Sequence, residues 1–219
     1  LPRVAAAIRA VFSGKPGKYI AFFPSHRYLR MAQELLASAM LPEGQTLRSL
    51  LSPEQTEIYE AALQQINVPP AAFDPFEPWY AGLVISTAPL FQQGYSPDSG
   101  VEYVLNRRAG TAKAKDELES TAYQLSLFDR LPMESQIRFM VETAQQVDQI
   151  KPTLDAMVAE WLAGDADGLA ALMNEGLSDP VMAEQLLYGR NRNWAKWIDN
   201  RMKEPGTVFL AVLLLAVVG

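Results

Sequence analysis

The chain has 219 residues, of which 49% are apolar and 20% are charged, with a formal net charge of −6. This acidic balance argues against a protein that binds duplex nucleic acid, because such proteins normally present a basic face to the phosphates. Cysteine is absent and His26 is the only histidine. Thiolate metal sites, disulfides and the paired-histidine helices of zinc proteases are therefore excluded.

Two apolar runs near the ends of the chain predict β-strands. Residues 19–23 form a compact β-prone run that ends at Pro24, and His26 follows at the expected end of that strand. Residues 208–218 form a longer apolar run, which is still short of the about 20 residues that a membrane-spanning helix needs. This second run predicts a buried strand and no transmembrane span. A further extended segment is expected to end near Leu118.

The middle of the chain carries signals for helices. Ser52, followed by Pro53 and Gln55, predicts a helix start with a serine N-cap and a capping box. A long helical pattern begins at Pro132 and is expected to kink or break at Pro152. That pattern is expected to stop at residue 164. Other helices are predicted over residues 80–93, over residues 168–174 and from residues 179–180 to about residue 202.

These signals together predict one helix-rich α/β domain over residues 1–219. Strands from both chain ends are expected to form a central mixed sheet. Residues 41–205 are expected to be mainly helical and to form a large layer or insertion against that sheet. Trp79, Trp161, Trp194 and Trp197 are expected to pack in the core between helices.

Several short motifs follow one another in a fixed order between residues 41 and 212. They are LPEGQTLRSLLSPE at residues 41–54, PW at 78–79, residues 94–102, LES at 118–120 with QL at 124–125, residues 128–132, WLAGD at 161–165, RN at 190–191 with the tryptophan at 194, and GTVFLAV at 206–212. In order and spacing, this set resembles the TraB/GumN family, which includes the Tiki-type proteases.

The resemblance implies an α/β fold with a helical insertion and a metal-dependent hydrolase or protease that acts on peptides or proteins. It also implies a periplasmic or other extracytoplasmic location and a link to polysaccharide production. The family's proposed metal site uses two Gly-x-x-His motifs, each after a strand, together with carboxylates. Residues 23–26 keep His26 but lack the glycine, and residues 213–216 have neither the glycine nor the histidine.

His26, Glu102 and Glu119 are the metal ligands that the resemblance implies. One imidazole and two carboxylates suit a hard divalent ion such as Mn²⁺ better than a metal that prefers thiolates. In an active enzyme, metal-activated water would attack an amide, with Glu119 and Glu102 as ligand or base. Arg190 would polarise the substrate and is the third predicted catalytic residue.

Arg190, Asn191 and Gln124 are the predicted substrate-binding residues. A guanidinium group and an amide could hold a carboxylate or a carbonyl oxygen in a cleft. The structural alternative is that Arg190 and Asn191 form a polar anchor between a helix and the core, next to Trp194. For Gln124 a structural role is the stronger interpretation.

Structural alternatives also exist for the other candidates. Glu119 could be a residue at a helix N-terminus, where its charge favours the helix dipole, and Glu102 an exposed helix residue. His26 could be a capping or surface residue. At the level of the whole protein, the alternatives are a non-catalytic binding or scaffold protein and a homodimer built on the long helices.

Overall fold

The computed structural model describes residues 37–95, 108, 116–175 and 179–208. The helices in these ranges are α1 (Pro53–Gln65), α2 (Pro78–Gln92), α3 (Thr121–Asp129), α4 (Met133–Gln145), α5 (Ile150–Ala163), α6 (Ala166–Glu175), α7 (Pro180–Ala183) and α8 (Gly189–Arg201). Two short 3₁₀ helices cover Leu47–Leu50 and Pro70–Phe73, and a π-helical turn, Glu184–Tyr188, joins α7 to α8.

The predicted α/β class with a central mixed sheet is wrong for the part of the chain that the structure describes. That part is mainly helical and has no strand, and its β pairing is one isolated antiparallel bridge between Met40 and Phe76. Leu118, where an extended segment was expected to end, lies in a bend, and most of that segment lies outside the described residues. Helices bury their apolar faces against one another here, so these faces need no sheet. The runs at 19–23 and, apart from Val208, at 208–218 lie outside the described residues.

Local capping signals are confirmed. Ser52 Oγ accepts a hydrogen bond from the Gln55 N–H at 3.2 Å, and Gln55 Oε1 accepts one from the Ser52 N–H at 2.9 Å. Gly164 adopts φ +73° and ends α5, as expected for a left-handed C-cap. Asp179 begins the last helical segment, because its Oδ1 accepts from the Val181 N–H at 2.8 Å.

The long pattern after Pro132 is interrupted, although earlier in the chain than predicted. Helix α4 ends at Gln145 and α5 starts at Ile150. Pro152 lies in the first turn of α5, where the missing N–H of a proline costs no intrahelical hydrogen bond. The proline therefore marks the start of a helix and not a kink within one.

The larger core cluster lies between α1, α2, α4 and the start of α5, with Trp79, Tyr59 and Phe73 fully buried. Helices α2 and α4 pack closely at Gly82, where an added Cβ would lie 2.6 Å from Phe139 Cε1. A smaller cluster joins α3, α4, α7 and the π turn. Its buried members are Leu127, Leu131, Phe139, Met182 and Leu186.

The four tryptophans do not share one environment. Trp79 is fully buried, which confirms the prediction, and Trp194 and Trp197 are half-buried. Trp161 is 62% exposed, so the expectation of core packing is wrong for this residue. It lies beyond Met157, the last buried residue of α5. Among the described helices, none is both long and apolar enough to cross a bilayer.

Candidate functional site

Glu119 and Arg190, which are 71 positions apart in the chain, form a buried ion pair. Arg190 Nη2 lies 2.8 Å from Glu119 Oε2, and Arg190 Nε lies 2.9 Å from Oε2 and 3.2 Å from Oε1. The Arg190 side chain is only 8% exposed and the Glu119 side chain only 5%. The fold thus brings together two of the residues that the sequence indicates as site candidates.

The start of α3 holds Glu119 in place. Ser120 is the N-cap of this helix, and its Oγ accepts a hydrogen bond from the Tyr123 N–H at 3.1 Å. Glu119 is the residue immediately before this cap. Its carboxylate is paired with Arg190 instead of capping the helix itself.

Arg190 has an acceptor for each part of its guanidinium group. Nε and Nη2 donate to Glu119, and Nη1 donates to the Leu186 carbonyl oxygen at 3.1 Å. The guanidinium carbon also lies 4.9 Å from the ring centroid of Trp194, within the range of a cation–π interaction. The environment of Arg190 is therefore largely saturated.

The π turn determines which way Arg190 faces. Met182, Leu186 and Arg190 are all buried at four-residue intervals. In a regular α-helix of 3.6 residues per turn, each four-residue step advances about 40° beyond a full turn, so this spacing would drift away from one face. The wider π turn reduces that drift and keeps the three residues on the side that faces α3.

An open groove of about 560 Å³ lies beside the pair, between α3 and the segment from α7 to α8. Its lining residues are Tyr123, Leu127, Arg130, Pro180, Val181, Glu184, Gln185, Gly189, Arg190 and Asn193. Gln185 Nε2 donates a hydrogen bond to the Leu127 carbonyl oxygen and joins the two walls.

None of the other predicted site residues that the structure describes lines this groove. Gln124 is half-buried and Asn191 is exposed, and neither lines the groove. Asn193 lines it instead and was missed by sequence reasoning, although its i+3 spacing from Arg190 on a helix would have pointed to it. His26 and Glu102 lie outside the described residues.

The described residues do not fit the implied metal site. Both oxygens of Glu119 accept hydrogen bonds from Arg190, and this guanidinium cation stands next to the carboxylate that a divalent ion would need. Among the described ranges, no group of three His, Asp or Glu side chains could hold a metal ion. Glu119 with its described neighbours is therefore not a ready ligand set for Mn²⁺.

A second carboxylate, which sequence reasoning missed, lies at the start of α2. Burial raises the pKa of Glu77, and the negative charge of Asp129 raises it further, whereas a hydrogen bond from Gln136 opposes the shift. Gln136 Nε2 donates to Glu77 Oε2 and to the Leu131 carbonyl oxygen, each at 3.0 Å. These contacts tie α2 to α4, and Glu77 does not line the groove.

Comparison with known proteins identifies a family. The model of the TraB/PrgY/gumN family matches residues 21–219, a range that contains every described residue. No curated protein and no solved structure matches the chain.

Proposed function

This chain belongs to the TraB/PrgY/gumN family, and we propose that it binds a peptide or protein chain in the cell envelope as a degenerate relative of metal-dependent peptide hydrolases. The observation that carries this proposal is the Glu119–Arg190 pair, buried at the edge of an open groove. A saturated ion pair suits the wall of a binding site better than a centre that must exchange protons or hold a metal.

The lining of the groove suits a peptide. Leu127, Pro180 and Val181 offer apolar surface to a side chain, and Asn193 offers an amide that can both donate to and accept from a peptide bond. Apolar surface with a few polar groups is the usual composition of a ligand site, and the volume of about 560 Å³ is typical of one.

The charges around the groove favour a ligand that carries a carboxylate. Glu184 is paired with Arg192, and Arg190 is paired with Glu119. Arg130, which also lines the groove, is exposed, and the nearby charge described for it is the neighbouring Asp129, whose pKa it lowers against the rise that burial causes. A guanidinium group readily binds a carboxylate through two hydrogen bonds, so an acidic side chain or a peptide C-terminus is the expected partner of Arg130.

The second candidate function is an active metal-dependent peptide hydrolase of the periplasm, linked to polysaccharide production. The convergence of Glu119 and Arg190 favours it, because both residues belong to the motifs that the resemblance singled out. In this case His26 and Glu102 are the remaining proposed ligands, and Arg190 orients the groups around the groove.

Binding and cleavage measured on the same purified protein separate the two candidates. Fluorescent peptides with and without an acidic residue are titrated for binding, and their cleavage with added Mn²⁺ is followed by mass spectrometry. We expect binding of the acidic peptide without cleavage, and about tenfold weaker binding for Arg130→Gln. Lys196→Gln, which removes an exposed charge from α8, is the matched control and should bind normally.

Cleavage that stops with a chelator and in His26→Ala would favour the hydrolase instead. If neither peptide binds or is cleaved, both candidates fail. The proposed location is checked independently by cell fractionation, in which the protein should appear in the envelope or periplasmic fraction.

A further inference from the structure

We infer that Glu119 is the counter-ion of Arg190, a positioning residue that ties α3 to α8, and that it is not a metal ligand. This role differs from the one that the family resemblance implies for Glu119. It does not depend on which function the groove serves. The contacts, the charges and the connections between the helices each support it.

The contacts leave the carboxylate little room for a metal ion. Glu119 receives Nε and Nη2 of Arg190 on its two oxygens, with nitrogen–oxygen distances between 2.8 and 3.2 Å. Its side chain is only 5% exposed. A metal ion would have to displace the guanidinium group, whose third nitrogen is held by the Leu186 carbonyl oxygen and whose carbon lies close to the Trp194 ring.

The charges also favour the pair over a metal. One carboxylate and one guanidinium group neutralise each other in this buried setting. A divalent cation on the same carboxylate would stand within a few ångströms of a permanently charged arginine, and the repulsion between like charges is strong away from water. Among the described residues, Glu119 belongs to no group of three or more His, Asp or Glu side chains that could hold a metal ion.

The connections explain what the pair does for the fold. Glu119 ties the start of α3 to Arg190 in α8, and Gln185 ties Leu127, near the end of α3, to the π turn. Helix α3 is thus attached at both ends to the segment that forms the opposite wall of the groove. Glu119 positions one wall against the other.

A double-mutant cycle on the full chain tests this inference. Glu119→Gln and Arg190→Gln each leave an uncompensated partner, so each should lower the melting temperature by roughly 6–20 °C. The double variant carries no buried charge at the pair and should recover at least half of that loss. Glu117→Gln, an exposed carboxylate two positions earlier, is the control and should leave the melting temperature unchanged.

A calorimetric titration with Mn²⁺ supplies a readout that a purely structural role would not move. If Glu119 is the counter-ion, the double variant and the wild type behave alike in this titration. Either both bind Mn²⁺ with the same affinity or neither binds it. An Mn²⁺ affinity that is lost in Glu119→Gln and not restored in the double variant would overturn the inference. So would additive effects on melting temperature. If the single variants do not fold, the double variant should still fold, and its failure to do so would also count against the pair.

Discussion

Gly189 donates its backbone N–H to the carbonyl oxygen of Glu184, five residues earlier, and closes the π turn. A Cβ at position 189 would lie only 2.9 Å from that oxygen, so the wide turn depends on glycine. Single π turns within helices occur frequently at functional sites. Here the turn lies beside the groove, and the next residue is Arg190.

Replacing Gly189 with alanine should therefore destabilise the protein by about 1–3 kcal/mol, because the new methyl group crowds the Glu184 carbonyl. At an ordinary helical position the same change would stabilise by about 0.5–1 kcal/mol, so the sign of the effect is diagnostic. Urea unfolding measures it, with Lys196→Ala as a helix-surface control. A more stable Gly189→Ala variant would show that the π turn does not need glycine.

A similar effect is expected for Gly82, which lies at the contact between α2 and α4. A Cβ there would lie 2.6 Å from Phe139 Cε1 and 3.3 Å from the backbone of Met140, so the buried ring would have to shift and the backbone of α4 to give slightly. We expect Gly82→Ala to cost about 1–3 kcal/mol in the free energy of unfolding. The variant Phe139→Leu lacks the ring. In this background, Gly82→Ala should cost less than it does in the wild type. Equal costs of the alanine change in both backgrounds would contradict this.

Glu77 should make stability depend on pH. Because burial raises its pKa in the folded state, the folded protein binds this proton more tightly than the unfolded chain. The stability that this tighter proton binding contributes is fully present below the pKa of Glu77 in the unfolded chain. It is lost as the pH rises through the pKa of Glu77 in the folded protein. Above the folded pKa, the ionised Glu77 therefore opposes folding.

The variant Glu77→Gln should accordingly be more stable than the wild type at pH 7, with a difference that shrinks as the pH falls towards 4. Its amide oxygen can still accept the hydrogen bond from Gln136. Thermal unfolding across this pH range measures the difference, and Glu117→Gln is an exposed control. A difference that grows on acidification would mean that Glu77 has its pKa lowered instead.

The N-cap of α3 provides a prediction about the site itself. Ser120→Ala removes the hydrogen bond to the Tyr123 N–H and should cost about 1 kcal/mol of stability. Ser120→Asp keeps a capping oxygen and should restore most of it. Glu119 immediately precedes the Ser120 cap. Loss of the cap should therefore also reduce the coupling free energy between Glu119 and Arg190 in the double-mutant cycle. Unchanged coupling in Ser120→Ala would show that the pair holds without the cap.

Some features of this fold follow from short stretches of sequence. The capping box of Ser52 and Gln55 and the glycine end of α5 at Gly164 were predicted correctly, because their hydrogen bonds close within a few residues. The central sheet was predicted wrongly for the described residues, which contain no strand. A β-prone apolar run shows that a segment will be buried, but its composition does not say whether its neighbour is a strand or a helix. The expectation that Trp161 packs in the core between helices was also wrong, because this residue lies past the buried part of α5.

The sequence by itself determined the family, the acidic character of the chain and the choice of Glu119 and Arg190 as residues of interest. Only the tertiary structure decided that these two form a buried pair, because the contact spans 71 positions and depends on the docking of α3 against the π turn. The importance of Gly189 was equally hidden, because it depends on the π turn, which no regular helical periodicity predicts. The spacing of Asn193 from Arg190 indicates a shared helix face, but only the tertiary structure shows that this face lines the groove.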